Sequence, residues 1–86
     1  MDKRRILIFE NSDVLADILL EFLGGEEYET RRAKSSLEGL KLVFSFVPEL
    51  IITNAEMPFF NGYLITRILK SRSAVRGIPV IIFSSL

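Results

Sequence analysis

The chain has 86 residues, 49% of them hydrophobic, which suits one globular domain near the lower end of what buries a self-sufficient core and rules out disorder. Eleven lysine and arginine residues balance eleven aspartate and glutamate residues, so no overall field draws the chain to nucleic acid or to an anionic membrane. The absence of cysteine and histidine excludes disulfides, thiolate metal sites and the commonest general base, so any metal would need oxygen ligands.

The amino terminus places Lys3, Arg4 and Arg5 before an apolar run that Glu10 interrupts after Phe9. That run is too short for an export signal or a membrane span, so a cytoplasmic location is expected. Arg5 to Phe9 reads as a buried strand with Glu10, Asn11 and Ser12 at its carboxyl end. Asn11 and Ser12 are read as helix-capping groups for a helix that begins at Asp13. Leu15, Ile18, Leu19 and Phe22 fall at helical spacing and predict its buried stripe, widened by Leu23, while Asp13, Asp17 and Glu21 form an acidic edge. Gly24-Gly25 ends it.

Glu26 to Ala33 suits a short edge strand blunted by charge, with Arg31, Arg32 and Lys34 at its end. Ser35 followed by Glu38 is a capping-box pattern and predicts a helix to about Phe46. Leu37, Leu40, Val43, Phe44 and Val47 are assigned to its core stripe. Leu42 and Phe46 fall on a different face and become candidate interaction residues, because the helix has more apolar surface than one sheet contact requires.

Leu50 to Thr53 forms a short β-branched run typical of a strand buried on both faces of a parallel sheet. The loop that follows, N-A-E-M-P-F-F-N-G from Asn54 to Gly62, lies at the carboxyl edge of that sheet, where open α/β folds place their ligand sites. A third helix is expected from Tyr63 to about Arg72, with Leu64, Ile65, Ile68 and Leu69 inward. Ser73 to Gly77 reads as a basic connection. Ile78-Pro79 leads into a fourth buried strand, Val80 to Phe83, which ends at Ser84-Ser85. The alternation implies βαβ units with right-handed crossovers.

These pieces together resemble response-regulator receiver domains: I-L-I-F before an acidic turn, an apolar strand ending in the Asn54 loop, M-P and N-G within that loop, and I-P-V-I before a hydroxyl. The resemblance implies a flavodoxin-like (CheY-like) α/β fold, an open parallel sheet with strand order 2-1-3-4, truncated here to about four strands and three helices. It also implies that residues 1–86 form an incomplete receiver-like domain whose last strand and helices are missing. The uncovered edge is expected either to drive dimerisation or to be completed by a longer chain.

Asn54 occupies the place of the family's phosphoacceptor aspartate, and a carboxamide cannot attack a phosphoryl donor. The family's metal-binding acidic pair falls on Glu10 and Asn11, so magnesium binding is expected to be weak or lost, with no other cofactor and no enzymatic activity. Glu56 stands where the family uses a backbone carbonyl, and Ser84 matches its phosphate-following hydroxyl. Glu10, Asn11, Asn54, Glu56 and Ser84 thus make up a degenerate phosphoacceptor pocket, in which either Asn54 donates a hydrogen bond to Glu10 and holds the pocket together without an ion, or both side chains face solvent. Phe59 falls where the family commonly has glycine, and Phe59 and Phe60 join Leu42 and Phe46 as candidate interaction residues.

The expected function is a phosphorylation-independent pseudo-receiver. It would bind a protein partner or a second copy of itself, with neither nucleic acid nor membrane as a partner. The rival is a phosphorylatable switch using another acid, Glu10 or Glu56. A small-molecule-binding domain is less well supported, since no glycine loop cradles phosphate.

Overall fold

The computed structural model describes residues 2–84. Ser85 and Leu86, included in the sequence reading, lie outside them. Seven elements follow in strict alternation: β1 (Arg4–Phe9), α1 (Asp13–Leu23), β2 (Tyr28–Ala33), α2 (Ser36–Phe46), β3 (Leu50–Asn54), α3 (Gly62–Lys70) and β4 (Val80–Phe83). All strand pairs are parallel, in the order β2-β1-β3-β4. This is the expected α/β architecture.

The chain winds from β1 to β2 in one direction and from β1 to β3 and β4 in the other. Right-handed crossovers then put α1 on one face of the sheet and α2 and α3 on the opposite face. Alternation along the strands divides the core accordingly. Leu7, Phe9 and Ile51 pack with Val43 and Phe46 of α2 and with Ile65 and Leu69 of α3. Ile6 and Ile8, equally buried, project from the other face, where Ala16 is the fully buried residue of α1.

Two helix faces differ from the sequence reading. In α1 the inward stripe is Ala16 with half-buried Leu15, Leu19, Leu20 and Leu23, while Ile18 and Phe22 are exposed. The helix is rotated so that its smallest apolar residue meets the sheet, which permits closer approach. In α2 the buried residues are Ser36, Gly39, Val43 and Phe46, and Leu37, Phe44 and Val47 are exposed. Apolar residues lie almost all around this helix, and Gly39 decides the face because Phe9 fills the space beside it. Phe46 therefore belongs to the core and Leu42 packs partly against it, which removes both from the candidate interaction residues. Phe60 also packs partly against the core.

Val47, assigned to the core from sequence, instead ends α2 in the left-handed region at φ 50°. Arg5 caps this end by donating Nε to the carbonyls of Phe46 and Val47 at 3.1 and 2.9 Å, a cation placed at the negative pole of the helix. In α3, Ile65 and Leu69 are buried as expected, but Leu64 is partly exposed. The basic connection after it also carries a core residue, Val75. The two sheet edges are unlike. β2 carries Glu29, Arg31 and Arg32, whereas β4 reads Val-Ile-Ile-Phe without a charge.

Candidate functional site

The site grows from the carboxyl ends of the two central strands. The β1/β3 register pairs Ile8 with Ile52 and Phe9 with Thr53, so the next residues, Glu10 and Asn54, arrive side by side. Asn54 donates Nδ2 to Glu10 Oε1 at 2.8 Å, and the two residues are 4% and 2% exposed. The second carboxylate oxygen of Glu10 accepts from the Ser12 backbone N–H at 2.9 Å. Asn54 Oδ1 accepts from the Glu56 N–H at 3.0 Å. Each polar atom of this buried pair is thus engaged, as a low-dielectric setting demands. Among the described residues, no buried side-chain nitrogen or oxygen lacks a partner, and no group of three acidic side chains gathers at metal-binding spacing.

The other predicted site residues lie around this pair with separate tasks. Ser12 caps α1, its Oγ accepting from Leu15 N–H, but Asn11 does not share the work. Its amide instead donates to the Lys34 carbonyl at 3.2 Å, tying the β1–α1 turn to the end of β2. The Ser84 hydroxyl donates to Glu56 Oε1 at 3.0 Å, so these two groups do come together, at the exposed rim. Asn61 caps α3 through its Oδ1, and the backbone at Gly62 passes so close to Asn54 that a Cβ there would lie 2.7 Å from the Asn54 carbonyl oxygen.

One organising residue escaped the sequence reading. Arg32 donates Nε to the Glu10 carbonyl at 2.7 Å and an η nitrogen to the Asn11 carbonyl at 3.1 Å, and pairs with Asp13 at 3.0 Å. This fork clamps the turn that carries Glu10. The signal for it is tertiary, since Arg32 reaches the turn only because β2 lies beside β1.

The sequence matches the profile of the response regulator receiver domain over residues 6–86. The chain belongs to that family. It is 31% identical over 78 residues to the polar-differentiation response regulator DivK of Brucella ovis, a match covering 91% of this chain and 63% of DivK. It is 32% identical over 81 residues to ycf29 of Pyropia yezoensis, named as a probable transcriptional regulator, covering 94% of this chain and 36% of that protein. The chain therefore spans less than two thirds of the length of either relative. Among solved structures, the signal receiver domain of a signal transduction histidine kinase from Syntrophus aciditrophicus superposes with a TM-score of 0.89 at 34% identity, over 96% of this chain and 63% of that one.

In this receiver domain the β3–α3 loop presents an unusual surface. Phe59 is 97% exposed and sits in the left-handed region at φ 67°. With Ser35, Leu37 and Phe60 it lines an apolar groove of about 370 Å³. An L-residue in that conformation costs about 1–2 kcal/mol, of which glycine would return part to its own chain entropy. Phe59→Gly is therefore expected to stabilise the fold by about 0.5 to 1 kcal/mol, read as a higher urea midpoint. A midpoint that falls would mean the ring contributes more packing than its exposure indicates.

Asp13 is the ion-pairing partner of Arg32 and Lys34, and these cations hold its carboxyl below the ordinary aspartate range. A folded-state pKa depressed in this way contributes stability at pH values above the unfolded pKa and loses it as pH falls through the lower, folded value. The stability difference between the unaltered chain and Asp13→Asn should thus be largest near neutrality and close in acid. Urea titrations from neutral to strongly acidic pH that run parallel for the two proteins would contradict this.

Proposed function

We propose that this receiver domain works as a phosphorylation-independent interaction or dimerisation module in two-component-type signalling, without enzymatic activity. The observation that carries the reading is the hydrogen bond from Asn54 to Glu10. Asn54 stands where the resemblance places the nucleophilic aspartate, and its amide serves as the donor that satisfies the buried carboxylate.

A magnesium ion does not fit these groups. Both Glu10 oxygens already accept hydrogen bonds, the Asn11 amide is turned to the Lys34 carbonyl, and Glu10 is the single buried carboxylate among Glu10, Asn11 and Asn54. No phosphoryl-transfer step follows from such an arrangement.

The partner is expected to be a protein, with Phe59 and its apolar groove as contact residues. The balanced charge supports neither nucleic acid nor an anionic membrane as partner, and among the described residues no helix is long and apolar enough to cross a membrane. A cytoplasmic setting accords with that reading. Amide NMR spectra recorded before and after adding magnesium and beryllofluoride, a mimic of the aspartyl-phosphate group, test it. Unmoved resonances at Glu10, Asn54 and Ser84 are expected. Specific shifts there would return the domain to phosphosignalling.

A further inference from the structure

The chain is neutral overall but strongly polarised. Residues 13–29 contain six acids, Asp13, Asp17, Glu21, Glu26, Glu27 and Glu29, and no basic residue. Residues 57–79 contain four basic residues, Arg67, Lys70, Arg72 and Arg76, and no acid. The first segment holds α1 and the second holds α3, which lie on opposite faces of the sheet, and among the described residues no ion pair joins the two segments.

Internal pairing leaves much of both charges available. Asp13 is committed to Arg32 and Lys34, Glu29 to Arg31, and Lys70 donates Nζ to the carbonyls of Arg76 and Ile78. Among the described residues, Asp17 and Glu21 on one side and Arg67, Arg72 and Arg76 on the other make no ion pair. Beside these acids, α1 exposes Ile18 and Phe22, the latter at 87%. The outer side of α3 shows Tyr63, also exposed, one turn before Arg67.

We propose that copies of this chain stack head to tail, the acidic and apolar outer face of α1 on one copy meeting the basic outer face of α3 and its following turn on the next. This rests on the interaction reading above and names the partner as a second copy. The charges select the pairing. Two α1 faces repel, as do two α3 faces, so Ile18 and Phe22 are covered without repulsion only against the surface of opposite sign. An interface between different patches on opposite faces of a flat molecule does not satisfy itself in a dimer. Each added copy leaves one face of each kind open, giving an open stack.

The test is sedimentation velocity of the 86-residue chain in two salts. At about 10 mM salt, where screening extends over about 30 Å, the weight-average mass should be at least about twice that at about 1 M, where it extends about 3 Å. The charge reversals Asp17→Lys with Glu21→Lys, and separately Arg67→Glu with Arg72→Glu, should each stay monomeric at low salt, with an unchanged far-UV circular dichroism spectrum. Mixed in equal amounts, they should associate again and alternate along a stack, because one variant then carries two basic faces and the other two acidic ones. Where a reversal unfolds the chain, Glu21→Gln and Arg67→Gln serve in its place.

A chain monomeric in low salt, or an association that survives both reversals, would overturn the proposal, the latter pointing to the uncharged β4 edge. Either result alongside a silent beryllofluoride titration would leave the interaction reading intact with a different contact. A beryllofluoride response would remove that reading whatever the masses show.

Discussion

Asn54→Asp is expected to destabilise the fold by about 3 kcal/mol near neutral pH, and by less as the solution is acidified. The substitution replaces the amide that donates to Glu10 Oε1 at 2.8 Å with a second carboxylate oxygen, in surroundings where both side chains are almost fully buried. A hydrogen bond to a charged group is lost and a like charge is set against it.

The pair can relieve this by keeping one proton, which raises its folded-state pKa above the unfolded value. The folded variant then binds more protons than the unfolded chain, so its stability falls as pH rises through that range. Asn54→Ala removes the donor without adding charge, and its penalty should depend on pH more weakly. Chemical denaturation of both variants from about pH 5 to pH 8 separates them. The aspartate variant is also expected to take up no phosphoryl group from a small phosphodonor, as read by intact mass, because Asn11 brings no charge and its amide is held by Lys34. An aspartate variant as stable as the unaltered chain at neutral pH, or one that gains a phosphoryl mass, would show that the pocket already accommodates two acids.

Gly39→Ala is the second large effect. A Cβ at this position in α2 would lie 2.1 Å from Phe9 Cε2 and 2.5 Å from Cζ. The Phe9 ring is fully buried between the sheet and α2, so it cannot swing aside as an exposed side chain would. Overpacking of this kind costs about 1–3 kcal/mol or more, while the better helix propensity of alanine returns about 1 kcal/mol. A net loss of about 2 kcal/mol is expected, a large share of the stability of so small a domain. Gly77→Ala, where the added carbon meets nothing within 4 Å, is the matched control and should be nearly neutral. Phe9→Leu should recover part of the loss when combined with Gly39→Ala. Equal midpoints for Gly39→Ala and the unaltered chain would mean that α2 can shift away from the sheet at little cost.

Features written in local sequence were legible. Short apolar, β-branched runs marked β1, β3 and β4, weak alternation with charged residues marked the edge strand β2, and Ser12 and Ser35 marked two helix starts, because a cap needs only a side-chain oxygen within three residues of its donor. At Ser35 the expected reciprocal bond was displaced by one residue: Glu38 accepts from Lys34 N–H at 2.9 Å. The Glu10–Asn54 contact was legible as one of two alternatives, for a different reason. Adjacent parallel strands bring their ends together, and a carboxylate beside an amide has one obvious way to pair.

The faces of α1 and α2 were not legible, since both helices offer more than one apolar stripe and small residues settled the choice. Ala16 and Gly39 admit close packing that a count of large hydrophobic residues does not weigh. Arg32 was read as a charge blunting an edge strand, because its three contacts on the turn after β1 exist only through strand pairing.

Because the Glu10 carboxylate and the Asn54 amide satisfy each other, the proposed module has no unmet group at its centre for a small ligand to reward. A ligand biases a protein between states only through differential affinity, and here the resting arrangement is already the completed one. Control would then pass from chemistry at the pocket to the number of molecules present. Synthesis and proteolysis would set the output, which would rise steeply with abundance if copies associate and would persist until the protein itself was removed.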